Sequence, residues 1–254
     1  MKYELGELTS QLAKLKVSYG DTIIIHSSLH SFGIPAGVSK AELCDKIFKQ
    51  LQSMVGEEGN IVVPTFNFGF CRGQLYDINQ TPSEGMGIFS EFVRELNDSI
   101  RSKHPIQSIS VVGKHARSIC SIDTHNAFEK KSSFAKLMEL NATVLLIGAP
   151  IQSVSFVHIA EEQNLVPYRY HKDFRGKYRD YDGQITEKSY GMFVRNLDIN
   201  PILKMKKIEK LLENKALIKK QIFNSGTIAQ FKANQFLDII NDKLKINPNW
   251  LIED

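Results

Sequence analysis

The stretch Ser153-Val154-Ser155-Phe156-Val157-His158-Ile159-Ala160-Glu161-Glu162 gathers hydroxyls, an imidazole and carboxylates in one short segment. It follows the apolar run Ala142 to Ala149, which reads as a buried strand, so the segment is expected to open a helix from that strand's carboxyl end. In open α/β sheets ligands bind at that edge. A spacing of three on a helix places Glu161 about one turn from His158, close enough to orient the ring and stabilise its charged form. Those are the parts of a general base. The same spacing also fits an amphipathic helix in which Glu161 faces solvent.

Two further stretches put small polar residues and histidine near strand ends, Ile23-Ile24-Ile25-His26-Ser27-Ser28-Leu29 and Arg101-Ser102-Lys103-His104-Pro105-Ile106-Gln107-Ser108. Such short donors beside a turn suit phosphate or amide groups. His104, standing before Pro105, also reads as a packed turn residue. Other chemistries lack their parts. Gly113-Lys114 is followed by His115, so no phosphate-binding loop forms, and Gly85 and Gly87 lack the third glycine of a dinucleotide fingerprint. The seven histidines include no His-Glu-x-x-His helix, and no metal site is expected. Cys44, Cys71 and Cys120 are widely separated and odd in number, which fits a reducing compartment and inert thiols.

Together with Val63-Pro64-Thr65-Phe66 and Thr81-Pro82-Ser83-Glu84-Gly85-Met86-Gly87, these stretches carry a likeness. Over roughly residues 20 to 170 the chain resembles the aminoglycoside 3-N-acetyltransferase family. The shared signatures are a strand ending in His-Ser-Ser-Leu, a Thr-Pro-Ser then Met-Gly segment, an Arg-Ser-x-His-Pro-x-x-Ser segment and a His-x-x-Glu helix, in the family's order. The resemblance implies acetyl-CoA or another acyl-CoA as co-substrate, an amino-sugar acceptor, and a layered α/β sandwich with a central mixed β-sheet flanked by helices. It further implies that His26, Ser27, Ser28 and Leu29 line the CoA channel, supported by Ser102, His104 and Ser108, and that Thr65 and Met86 lie toward the substrate. Ser155 stands where the family usually has Thr. Its hydroxyl would either donate to the thioester oxyanion or cap the helix. Gln152 and Val154 stand where the resistance enzymes often have an acidic residue and Asn.

Apolar patterning supplies the supporting elements. Strands are expected near 21 to 26, 60 to 65, 107 to 112 and 142 to 148, and helices near 5 to 16, 40 to 54, 86 to 97, 154 to 164, 203 to 219 and 228 to 243. This alternation argues an α/β sandwich. Ser39 with Glu42 three residues on is a capping-box pattern. No repeat or linker breaks the chain, so residues 1 to 254 read as one acyltransferase domain with room for a small C-terminal subdomain from about 170.

At that point Pro167 to Arg179 turns basic and aromatic. A solvated hairpin is one reading, and an anionic small-molecule site, with Arg175 and Arg179 meeting substrate phosphates, is the other. Nucleic acid is set aside, because the net charge is only +4 and no binding motif accompanies the stretch. With 42% hydrophobic residues, no apolar run of membrane-spanning length and no apolar amino-terminal stretch, the protein is expected to be soluble and cytoplasmic, without membrane insertion. Its oligomeric state, a homodimer included, stays open.

A pI near 8.8, from 32 basic against 28 acidic residues, fits an anionic acceptor better than a polycationic one. The leading reading is therefore a CoA-dependent N-acyltransferase for a nucleotide-linked amino sugar in cell-surface polysaccharide synthesis. Aminoglycoside 3-N-acetylation, conferring antibiotic resistance, is the alternative. A non-catalytic nucleotide-sugar binding module is the reading from another class.

Overall fold

A computed structural model describes residues 2–253. In chain order its first half contains β1 (Lys2–Tyr3), α1 (Leu5–Leu12), β2 (Thr22–Ser27), β3 (Ile34–Pro35), α2 (Lys40–Val55), β4 (Asn60–Pro64), β5 (Tyr76–Asp77) and α3 (Ile88–Arg94). There follow β6 (Ile100–Arg101), β7 (Ile109–Gly113), α4 (Ala116–Cys120), α5 (Ser133–Glu139), β8 (Thr143–Ile147) and α6 (Val157–Gln163). The chain ends with β9 (Arg169–Arg179), β10 (Ile185–Arg195), α7 (Met205–Asn214), β11 (Lys219–Phe223), β12 (Gly226–Lys232) and α8 (Ala233–Ile246).

The central sheet has the order β11-β12-β8-β2-β4-β7-β6. It is mixed: β2 runs parallel to β4 and β8, whereas β7 and β12 run antiparallel to their neighbours. Strands buried on both faces must be apolar throughout, which is why Ile23-Ile24-Ile25 and Val144-Leu145-Leu146 carry no polar alternation. Successive side chains still serve opposite faces. Ile24, Val62, Val144 and Leu146 join the core under α4 to α8, while Ile23, Ile25, Ile61, Val63 and Leu145 join the core under α1 to α3. The result is the expected layered sandwich, with helices on both faces of a mixed sheet. Ser39 does cap α2, its Oγ accepting the Glu42 N–H at 3.2 Å.

The carboxyl-terminal part differs from the periodicity reading. Residues 226–232 form β12 rather than the start of a helix, because Ile228, Ala229, Gln230 and Phe231 are all buried between β11 and β8 and pair with Ile147 to Val144. Sheet pairing overrides a short helical spacing there. The helix begins only at Ala233. The basic aromatic stretch becomes one arm of the long β9–β10 hairpin, which pairs with β5 and packs Tyr178 and Tyr190 against Phe70, Tyr76 and Ile106. Among the described residues no helix is long and apolar enough to cross a membrane.

Candidate active site

The chain leaves β8 through Gly148 (φ +72°), where an added Cβ would stand 2.2 Å from Ser31 Oγ and 2.6 Å from the Ser28 carbonyl oxygen. Only glycine allows that approach. It brings the ends of β2 and β8 together, with the Ser28 N–H donating to the Ile147 carbonyl at 2.9 Å. His26, two residues beyond Ile24, therefore faces the same side of the sheet as α6.

On α6, His158 Nδ1 lies 2.5 Å from Glu161 Oε2, and the ring packs on Phe128 with centroids 5.5 Å apart. Glu161 is fully buried, not solvent-facing. Burial pushes its carboxyl up, but the hydrogen bond and charge of His158 and the charge of Arg169 outweigh burial and hold it below the usual carboxylate range. Arg169 Nε stands 2.8 Å from Glu161 Oε1, with only 9% of its side chain exposed. Because Glu161 accepts from Nδ1–H, the Nε2 atom of His158 is left as the ring's proton-accepting nitrogen.

His158 stands where two cavities meet. A larger one of about 700 Å³ is lined by Phe66, Phe128, Lys172, Phe174, Phe193 and Arg195 among others; a smaller one of about 260 Å³ by His26, Ser27, Met86 and Ser155 among others. Phe66, Gln152 and His158 belong to both. Five residues singled out from the sequence, His26, Ser27, Met86, Ser155 and His158, thus share the smaller cavity. Burial holds the His26 imidazole down to about 4, so it is neutral, and its Nε2 has no partner among the described residues. Ser155 Oγ is not a helix cap: α6 is preceded by Phe156, and no side chain caps it. That hydroxyl has no hydrogen-bond partner among the described residues.

The remaining sites of the sequence reading lie elsewhere. Ser28 Oγ is 3.3 Å from His30 Nδ1, and Leu29 is buried in the core under α1 to α3. Thr65 is fully buried, its Oγ1 3.1 Å from Ser108 Oγ, while its carbonyl accepts from Ser108 and from Arg101. Ser102 Oγ accepts the Ile109 N–H at 2.9 Å. His104 Nδ1 accepts the Gln107 N–H at 3.1 Å, which leaves Nε2–H to donate to the Gly191 carbonyl at 3.2 Å. Burial holds this imidazole down to about 4, against the raising influence of the Gly191 carbonyl, as that neutral tautomer requires. The Arg101 to Ser108 segment is thus a largely buried brace behind Thr65 and Phe66; Gln107 reaches the larger cavity, whereas Ser102, His104 and Ser108 line neither. Arg175 is exposed and outside both, and Arg179 pairs with Asp77 at 3.1 Å. Of the cations in the basic aromatic stretch expected to meet an anionic substrate, Arg169 and Lys172 line the larger cavity; sequence reasoning missed Phe193 and Arg195, which the facing strand β10 brings to the same wall.

The family model described as aminoglycoside 3-N-acetyltransferase matches residues 24–245. The chain belongs to that family. It is 30% identical over 186 residues to the SPbeta prophage-derived aminoglycoside N(3')-acetyltransferase-like protein YokD of Bacillus subtilis (strain 168), covering 64% of this chain and 65% of YokD, just under two thirds of the relative's length. Solved structures carry the likeness over almost the whole fold. AAC-IIIb in binary complex with CoASH superposes with a TM-score of 0.81 at 18% identity, covering 97% of each chain. An AAC(3)-IVa variant in complex with apramycin superposes with a TM-score of 0.76 at 21% identity, covering 97% of this chain and 94% of that one. These two superpositions establish that this aminoglycoside 3-N-acetyltransferase family member shares their fold.

Proposed function

We propose that the chain is a CoA-dependent N-acyltransferase that moves an acetyl or similarly short acyl group from acyl-CoA to the amine of an amino sugar. The His158–Glu161 pair at the seam of two cavities carries this reading. A thioester entering from the smaller cavity and an amine entering from the larger one would meet at His158 Nε2. A sugar ammonium has no lone pair, so it must lose a proton before or during attack, and His158 takes that proton. Glu161 holds the ring by accepting from Nδ1–H. As the amine nitrogen bonds to the thioester carbon, negative charge develops on the carbonyl oxygen, and the free Ser155 hydroxyl is the donor for it. Collapse expels the CoA thiolate, which takes the proton held on His158, while the nitrogen releases its second proton to solvent and becomes the amide. His26 and Ser27 would meet the pantetheine arm. The fold shared with AAC-IIIb, solved with CoASH, supports this side of the assignment.

For the acceptor, we infer a nucleotide-linked amino sugar used in cell-surface polysaccharide synthesis. The larger cavity is walled by aromatic rings and carries Lys172 and Arg195, while Glu161, its one carboxylate among the described lining residues, is already engaged by His158 and Arg169. Rings suit a base or a sugar face, and cations suit a diphosphate. A polycationic aminoglycoside would meet no free carboxylate there. The family match and the AAC(3)-IVa complex with apramycin favour the second reading, aminoglycoside 3-N-acetylation. Incubation with acetyl-CoA and either a UDP-linked amino sugar or kanamycin, read by thiol release, decides between them. We expect the higher kcat/KM with the UDP-linked sugar. Fast reaction on kanamycin alone reverses the ranking, and no thiol release with any amine overturns the acyltransferase reading.

A further inference from the structure

The guanidinium of Arg169 makes two contacts that join the base to the acceptor wall. Its Nε lies 2.8 Å from Glu161 Oε1, and one terminal N–H donates to the Phe193 carbonyl at 3.0 Å. Arg169 opens β9, Phe193 belongs to β10, and Glu161 belongs to α6, so one side chain ties three elements together. The carboxylate is thereby shared, Oε2 with the imidazole and Oε1 with the guanidinium. We propose that Arg169 is a positioning residue that fixes Glu161 against His158 and sets how strongly the His158–Glu161 pair holds its proton. This rests on the reading of that pair as the base.

The direction follows from charge. A buried carboxylate beside a neutral imidazole has net charge −1 and readily binds a proton; with the guanidinium present the same assembly is neutral, and protonation leaves it at +1. Arg169 therefore keeps the pair from holding a proton too tightly to accept one from substrate. The two groups titrate as a unit, so the measurable quantity is the midpoint of the pair. The other groups facing the pair among the described residues are the Tyr168 hydroxyl, next to Glu161, the Phe128 ring over His158, and the neutral His26 imidazole in the smaller cavity; Lys172 and Arg195 line the larger cavity, and all remain in every variant.

The test needs no acceptor. Histidine-labelled protein is titrated by NMR, and the His158 resonance is identified by its loss in a His158→Gln spectrum. In Arg169→Gln the midpoint should rise by about one pH unit, since an opposite charge within 4–6 Å shifts a titration by one to three. In Arg169→Lys, which keeps the charge, it should stay within about 0.3 of wild type. With acetyl-CoA and whichever acceptor turns over, the acid limb of kcat/KM should move upward in the same way for Arg169→Gln. A folded Arg169→Gln protein with an unchanged or lowered midpoint overturns the proposal. Should that variant not fold, Arg169→Met takes its place with the same two outcomes, and a midpoint displaced by more than about 0.3 in Arg169→Lys overturns the proposal. Loss of activity in His158→Ala combined with an unmoved Arg169→Gln midpoint would remove only the role of Arg169, whereas an active His158→Ala would remove the base itself.

Discussion

Glu161 Oε2 and His158 Nδ1 are 2.5 Å apart, with the carboxylate fully buried and the imidazole 30% exposed at the seam of two cavities. One partner is hidden from water and the other opens on both cavities. This asymmetry is what a general base requires, a fixed orienting group behind an accessible ring nitrogen. Replacement of His158 by Ala should lower the rate of thiol release from acetyl-CoA by about 100-fold or more while CoA affinity stays close to wild type, since loss of a general base costs 10²–10⁴. Stopped-flow kinetics and calorimetric CoA binding check this, and retention of more than half the wild-type rate would remove His158 from the mechanism.

Ser155→Ala separates chemistry from capping. With Phe156 ahead of α6 and no side-chain cap in place, the variant should keep its melting temperature, whereas a lost cap costs about 1 kcal/mol. If the hydroxyl meets the oxyanion, kcat should fall on the order of 100-fold with KM little changed. Paired melts and kinetics read both quantities. A less stable but fully active protein would leave the oxyanion without Ser155.

The cations of the larger cavity should govern the acceptor. Lys172→Glu or Arg195→Glu is expected to raise KM for a UDP-linked amino sugar about tenfold with kcat nearly unchanged, because a charge-assisted contact to phosphate contributes roughly 1.5–3 kcal/mol. Arg175→Ala, altering an exposed residue outside both cavities, should leave KM where it is. Equal KM values across the three variants would argue that the acceptor's negative charge, if any, lies away from this wall.

Stability should depend on acid through His26 and His104. Both are at least 95% buried and are held down to about 4, against 6.5 for the free side chain, so between those values the unfolded chain binds protons that the folded chain refuses. Stability is therefore full above about pH 6.5 and declines as pH falls toward 4, each residue contributing on the order of 3 kcal/mol over that window. Melting temperatures from pH 7.5 to 4.5 should fall in the wild type, with a shallower slope in His26→Gln. An identical slope in that variant would mean that His26 is not the neutral buried group described.

What the chain determined by itself is local. The spacing of His158 and Glu161 fixes their contact once a helix forms, because three residues make nearly one turn, and Ser39 caps α2 for the same near-neighbour reason. The apolar runs at Ile23 and Val144 specified strands buried on both faces, and the alternation of elements specified the layered sandwich. Tertiary structure decided everything that depends on sheet register and loop return. It brought His26 to the cavity of His158 through the close approach at Gly148, placed Arg169 against Glu161, and turned the Arg101 to Ser108 segment into a brace behind Thr65. It also made residues 226–232 a strand, since pairing with β8 buries Ile228 and Phe231 between neighbours that spacing along the chain does not reveal. Periodicity reports the face a residue presents, whereas the partner on that face is chosen by strands and helices far away in sequence.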